Sequence, residues 1–332
     1  MISTGTSQLR LHEGQWRELW LDIIAWSIGC QPGQEGAGRK LTAYLVENKQ
    51  QLIVIIDGLE DLFQDFSSDE AQQTALRALL QEVPEWLEQQ PGRPLGIIIF
   101  VRRDIVLAAV RQNAAQMMVR YQPYALKWSQ EEALRLVAWV SKQANILTSL
   151  NVEKLQEMDQ EQLTQALIPI WGKKLGSERS KQARSAQFVI DALSDFNGQI
   201  QSRDLVRLLY IAARDSINDN NRWQDRLLVP QAIRGSLNEC GKQKIQEIDQ
   251  ENKSLGDVLK KLQNLRAEDK KIPFTRDDIG LSLEDVKILE DNGAVISEGN
   301  DYYLPEIFRT GLGFTFKGKG RTKVISLARR AK

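Results

Sequence analysis

Residues 52–56 read LIVII, and the next five are Asp57, Gly58, Leu59, Glu60 and Asp61. A β-branched apolar run ending in an acidic cluster delivers carboxylates to the C-terminal edge of a strand, where open α/β sheets bind their ligands. Such a cluster suits the grip of a metal–triphosphate. Asp57 would hold Mg²⁺, mostly through water, and Glu60 or Asp61 would polarise an attacking water, turned back by a tight bend at Gly58. A second apolar run, residues 95–101 (LGIIIFV), ends in Arg102, Arg103 and Asp104. An arginine there would sense a γ-phosphate or neutralise charge as it is transferred. The plain alternatives are an acidic turn that caps a helix and solvated charge at a strand end.

Composition narrows the other chemistries. The 332 residues hold one histidine, His12, which gives no basis for a His-centred metal site or Ser-His-Asp catalysis. Cys30 and Cys240 lie too far apart in sequence to support a disulfide framework or a Cys-based zinc site. Lys plus Arg and Asp plus Glu number 44 each, which excludes a uniformly basic nucleic-acid coat and an acidic tail protein. No apolar run approaches the roughly 20 residues that span a bilayer, and no N-terminal stretch has the basic-then-apolar layout of a secretion signal. The expectation is a soluble, cytoplasmic protein without a membrane partner.

The elements that must position these residues follow from periodicity. Residues 13–29 place Trp16, Leu19, Trp20, Ile23, Ile24 and Ile28 at helical spacing, and a Pro/Gly-rich loop from Gln31 to Gly38 follows. A short helix over 40–48 leads into the first strand. The unbroken apolar character of 52–56 predicts a strand covered on both faces. Ser67-x-x-Glu70 is a capping-box pattern for a helix to about residue 90, kinked or divided at Pro84. With the strand at 95–101 this makes a βαβ unit, followed by a helix near 105–116 and another opened by Ser129-x-x-Glu132. Trp16, Trp20, Trp128 and Trp139 are expected in the core.

From there to about residue 270 only helices are expected, near 151–171, 180–196, 203–217, 228–250 and 254–267, the last capped by Ser254-x-x-Asp257. Ser282-x-x-Asp285 opens a further helix, stopped at Asn292-Gly293. Short strands at 294–297 and 302–304 then flank a Gly299 turn, the second half of a winged helix. The fold class is therefore α/β, then mostly α. The expected domains are 1–125 with a partial parallel-sheet core, 126–270 helical, and 271–332 with a winged helix and basic tail.

The strand and its Asp-small-apolar-acid-acid sequel, Asp57 to Asp61, resemble the Walker B element of the STAND signal-transduction class of P-loop ATPases and their KAP-like, AAA-related kin. The strand ending in Arg102-Arg103-Asp104 is similar to the sensor strand of that class. Leu126 to Ser129 and Gly198 to Leu205 are similar to parts of its helical region, and Leu289 to Phe308 to its winged helix. The resemblance implies ATP and Mg²⁺ as cofactors and a signalling or remodelling role. Asp57 would be the metal residue, and Glu60, Asp61, Arg102 and Arg103 the hydrolytic set. Arg203, at a helix start, would reach the nucleotide as a second sensor or else stand in solvent.

The pattern departs from that class at one place. A phosphate loop needs Gly-x-x-x-x-Gly-Lys-[Ser/Thr] between a strand and a helix. Gly33 to Leu41 has its Lys40 one place late and follows a helix, and Gly313 to Gly320 lacks the hydroxyl residue. Both are set aside. The expectation is the hydrolytic half of an ATPase, whether a C-terminal portion, one part of a split enzyme or a descendant without nucleotide binding. Its partners would be an upstream phosphate-loop segment or an ATPase subunit, together with a protein. Residues 315–332 hold Lys317, Lys319, Arg321, Lys323, Arg329, Arg330 and Lys332 and no acid, so nucleic acid is a further candidate partner there. The acidic helix before it (Glu284, Asp285, Glu290, Asp291) is a poor groove reader. The alternative function is a non-catalytic scaffold that binds protein or nucleic acid through the winged helix.

Overall fold

The computed structural model describes residues 13–63, 66, 69–217, 219, 222–318, 324 and 327. The chain is mostly helical, with a small parallel sheet, and divides into two compact units, Met1–Ala125 and Leu126–Lys332. His12, Ser67 and the tail cations from Lys319 onward, Lys317 excepted, lie outside the described residues.

In the first unit the order is α1 (Glu13–Ser27), α2 (Ala37–Glu47), β1 (Leu52–Ile56), α3 (Leu59–Leu62), α4 (Glu70–Arg77), α5 (Val83–Glu88), β2 (Leu95–Ile99), α6 (Arg103–Ala109) and α7 (Ala114–Tyr121). Asp69 caps α4 by accepting from the Ala71 and Gln72 amides, so the helix starts from Asp69 and not from the expected Ser67 box. Between α4 and α5 the chain makes a π-turn over Ala78–Glu82. Pro84 has no N–H to give to the preceding turn, and the wider turn absorbs the defect there. The single helix expected near 105–116 is instead two, broken at Asn113, which takes a left-handed backbone.

β1 and β2 pair in parallel, with Leu52 opposite Leu95 and Ile56 opposite Ile99. Side chains alternate across a strand. Leu52, Val54 and Ile56 with Ile97 and Ile99 therefore pack on a core built from Trp16, Trp20 and Leu21 of α1 and Leu76, Leu79 and Val83 of the crossover. The Trp20 indole N–H donates to the Ala75 carbonyl at 2.9 Å and ties α1 to α4. The other face departs from expectation: Ile53 is 67% exposed, Ile55 62% and Ile98 46%. Among the described residues the sheet is not covered on both sides. Among them this unit has two strands, and the helices pack on one side of these, so the alternate side chains meet solvent.

The second unit contains α8 (Gln130–Gln143), α9 (Gln160–Ala166), α10 (Ile168–Trp171), α11 (Ser185–Leu193), α12 (Ser202–Ser216), α13 (Pro230–Glu251), α14 (Lys253–Gln263), β3 (Lys271–Ile272), α15 (Arg276–Ile279), α16 (Leu283–Asp291), β4 (Ile296–Glu298), β5 (Asp301–Tyr303), α17 (Glu306–Leu312) and β6 (Thr315–Phe316). The capping boxes at Ser129 and Ser282 form as the sequence predicts. α14 is capped by Asn252, not Ser254, because α13 runs on to Glu251 and Asn252 is the break between them. The expected helix over 151–171 is divided, with a capping box at Asp159 and Pro169 in the first turn of α10. Trp128 and Trp139 are 37% and 47% exposed. α8 buries Ala133, Leu134, Val137, Ala138 and Ser141, which leaves Trp139 on the outer side, contrary to its expected place in the core.

One continuous apolar core joins α8, α11, α12, α13 and α14 to the segment after residue 271, including Phe274, Leu289, Tyr303, Ile307 and Phe314. β4 and β5 form an antiparallel hairpin, while β3 pairs in parallel with β6. α13 and α17 cross with their backbones in contact at Gly241 and Gly311. A Cβ on either glycine would overlap backbone atoms of the other helix.

Candidate functional site

β1 carries the acidic cluster to its C-terminal end. Gly58 adopts φ +77°, a left-handed turn that favours glycine, and α3 begins at the next residue. The Gly58 amide donates to Asp57 Oδ1 at 2.9 Å, and the Asp61 amide donates to the Gly58 carbonyl at 3.3 Å. Leu59 and Phe63 are buried and pin the turn from below, with the Phe63 ring 6.2 Å from that of Trp20. Asp57, Glu60 and Asp61 are all exposed. Asp61 bends back toward Gly58, as a tight turn there requires: Asp61 Oδ2 lies 3.7 Å from where a Gly58 Cβ would stand.

β2 brings its arginines to the same edge. The Phe100 amide donates to the Ile56 carbonyl at 2.8 Å, so the pairing continues to the residue just before Asp57. Arg102 follows two residues later and forms the N-terminal boundary of α6. Its guanidinium grips Asp104 through both oxygens, Nε to Oδ1 at 3.1 Å and Nη2 to Oδ2 at 2.6 Å. Arg103 is exposed in the first turn of α6. Strand order and register thus place Asp57, Glu60, Asp61, Arg102 and Arg103 at one end of one sheet.

Arg203 belongs to the second unit. It lies in the first turn of α12 and pairs with Glu247 at 3.3 Å and Glu251 at 2.8 Å on α13. Beside it, Asp204 is fully buried and bonded to Lys244 at 2.6 Å and Arg207 at 3.1 Å, and Arg207 also pairs with Glu247. This ionic ladder clamps α12 to α13 and accounts for Arg203 without a ligand.

The glycine-rich loop before α2 is also explained internally. Buried Asp22 of α1 accepts the Gly36 amide at 2.9 Å and the Gly38 amide at 2.8 Å. A carboxylate of the same chain therefore occupies the donors at this helix start that an anion would use. Sequence reasoning missed Asp22, since a lone Asp in an amphipathic helix carries no signal of its distant partner. Among the described residues no group of three His, Cys, Asp or Glu is gathered closely enough to hold a metal ion. Of the groups a metal–nucleotide would need, only the exposed carboxylate of Asp57 is offered among the described residues, and it would meet the metal through water. The described residues do not supply its phosphate cradle.

No protein-family model matches the chain, and no curated protein or solved structure is detectably similar to it. Among the described residues no helix is long and apolar enough to cross a membrane.

Proposed function

We propose that the first unit is the hydrolytic half of a STAND- or KAP-like P-loop ATPase core, to be completed by a phosphate loop from another polypeptide segment, in a signalling or remodelling protein. The observation that carries this reading is the two-stranded parallel sheet that presents Asp57, Glu60, Asp61 and Arg102 at one edge while leaving Ile53, Ile55, Ile98 and Phe100 uncovered. Parallel sheets are ordinarily covered on both faces, and an unpaired strand edge is a template for another strand. Covering these four side chains would add roughly 1–2 kcal/mol each, on the order of 5 kcal/mol in all. On completion Asp57 would meet Mg²⁺ through water, Glu60 or Asp61 would orient the attacking water, and Arg102 or Arg103 would face the γ-phosphate. The hairpin at β4–β5 with α15 and α16 is read as the winged helix of the same architecture.

The test is Mg-ATP binding by calorimetry, with the chain alone and with candidate phosphate-loop segments added. The reading expects heat only in the completed assembly and its loss in Asp57→Ala. Absence of binding in every combination, with Asp57→Ala behaving as wild type, overturns it.

A second reading, a non-catalytic scaffold, is favoured by one specific set of contacts. Arg102, Arg203 and the Gly36–Gly38 amides are all engaged by carboxylates of the chain itself. Its mark would be binding of a protein or nucleic-acid partner at the winged helix that is indifferent to added nucleotide.

A further inference from the structure

Between α10 and α11 the chain folds back on itself in a way the sequence did not announce. The Leu175 amide donates to the Ala183 carbonyl at 2.9 Å and the Ser185 amide to the Lys173 carbonyl at 3.2 Å, and Lys174 and Arg184 form an antiparallel bridge. The result is a hairpin over 173–185, with a turn closed by the Ser180 amide on the Ser177 carbonyl at 2.9 Å. Leu175 is buried in the core of the second unit, and Ala183 packs against it.

The hairpin is held from beneath by an arginine. Arg226 has a buried side chain whose guanidinium donates to the carbonyls of Trp171 at 3.3 Å, Lys174 at 2.6 Å and Gly176 at 3.1 Å. Trp223 stacks on it, 4.4 Å from ring centre to Cζ. Gly172 leaves the space this requires, since a Cβ there would overlap the guanidinium. Arg234 adds a bond to the Leu175 carbonyl at 3.0 Å and one to Gln182 Oε1 at 2.7 Å. The hairpin is therefore a fixed platform.

What the platform presents is positive charge. Residues 173–184 hold Lys173, Lys174, Arg179, Lys181 and Arg184 against Glu178 alone, in a chain whose net charge is zero. Glu178 is met by Lys173 at 3.4 Å, and Lys174 turns back onto the Ser180 carbonyl at 2.9 Å. Arg179, Lys181 and Arg184 are exposed and make no ion pair among the described residues. Like charges held together on a rigid turn repel one another, and the two carboxylates at the hairpin, Glu178 and Asp225, are paired with Lys173 and Arg226.

We propose that this hairpin binds the phosphate backbone of a nucleic acid. Exposed Arg and Lys with Ser177, Gln182 and turn amides are the donors that position phosphate oxygens. The tip, Ser177 to Gln182, has no large apolar side chain to insert into a lipid surface. Binding rests on displaced counterions, is strongly salt-dependent and carries little base preference.

The test uses the full chain with a fluorescent 20-base-pair duplex and the corresponding single strand, titrated by polarisation across 50–200 mM salt. Neutralising Lys173, Arg179, Lys181 and Arg184 to Gln is expected to weaken binding at least tenfold and to lower the slope of log K against log salt by about 2–3. These positions are exposed, so the melting curve should be unchanged and a loss of binding is then not a loss of fold. Arg179→Lys with Arg184→Lys should keep most of the slope. A companion protein with Lys317, Lys319, Arg321 and Lys323 changed to Gln separates this surface from the tail. No binding by the wild type, an unchanged slope in the hairpin variant, or a slope lost only in the tail variant overturns the proposal. Binding to phosphatidylserine vesicles without binding to either nucleic acid overturns it as well.

Discussion

Asp195 shows how a single side chain can make stability depend on pH. It sits in the turn from α11 to α12, where the Gln199 amide donates to its Oδ1 at 2.8 Å. Burial pushes its carboxyl from 3.8 up to about 6, partly offset by that amide and by the Lys244 charge. The folded chain therefore keeps a proton that the unfolded chain has released, and the stability this contributes falls away as pH rises through 6. Asp195→Asn should lie close to wild type near pH 4 and become the more stable protein by pH 7, by about 2–3 kcal/mol at most. Urea titrations at both pH values measure this, and a difference that is flat with pH refutes it. Arg226 is the opposite case, a charge whose geometry is filled. Arg226→Ala strands three carbonyls that it now satisfies and should lose about 2–4 kcal/mol in the same urea experiment. A loss below about 1 kcal/mol would show that solvent takes over those bonds. Neither residue stands out in the sequence: Asp195 gains its role from burial, and Arg226 from carbonyls some 50 residues away.

At the scale of elements, the sequence carried the local signals well and the long-range ones poorly. Ser129-x-x-Glu132, Ser282-x-x-Asp285, the Gly58 bend and the two strands follow from residue types a few positions apart. The run at 52–56 has no polar residue, so nothing in it distinguishes a strand covered twice from one covered once. The hairpin at 173–185 was hidden because its polar arms show no alternation, and what fixes it is Arg226 some 50 residues on. Exposure of the outer sheet face gives a direct prediction. Ile53→Thr with Ile55→Thr keeps β-branching and should change stability by less than about 1 kcal/mol, while lowering self-association in sedimentation. A large drop in melting temperature would show that the face is already covered. The α13–α17 crossing predicts the reverse. Gly241→Val inserts atoms where two backbones touch and should destabilise the second unit by at least about 2 kcal/mol, read as a lowered melting temperature.

For the whole molecule, two cores in two compact units mean two folding events. Calorimetry should resolve two transitions, and residues 126–332 made alone should keep helical circular dichroism and melt cooperatively. A featureless melt for that piece would mean that its core needs residues from the first unit. The uncovered β1–β2 face also bears on how the chain would fare in a cell. If the first unit is completed by another segment as proposed, a copy synthesised without that segment carries a water-exposed, strand-edged apolar surface of the kind chaperones hold and quality-control proteases remove. Under that proposal its abundance should follow that of the partner segment, and co-expression rather than promoter strength should decide how much accumulates.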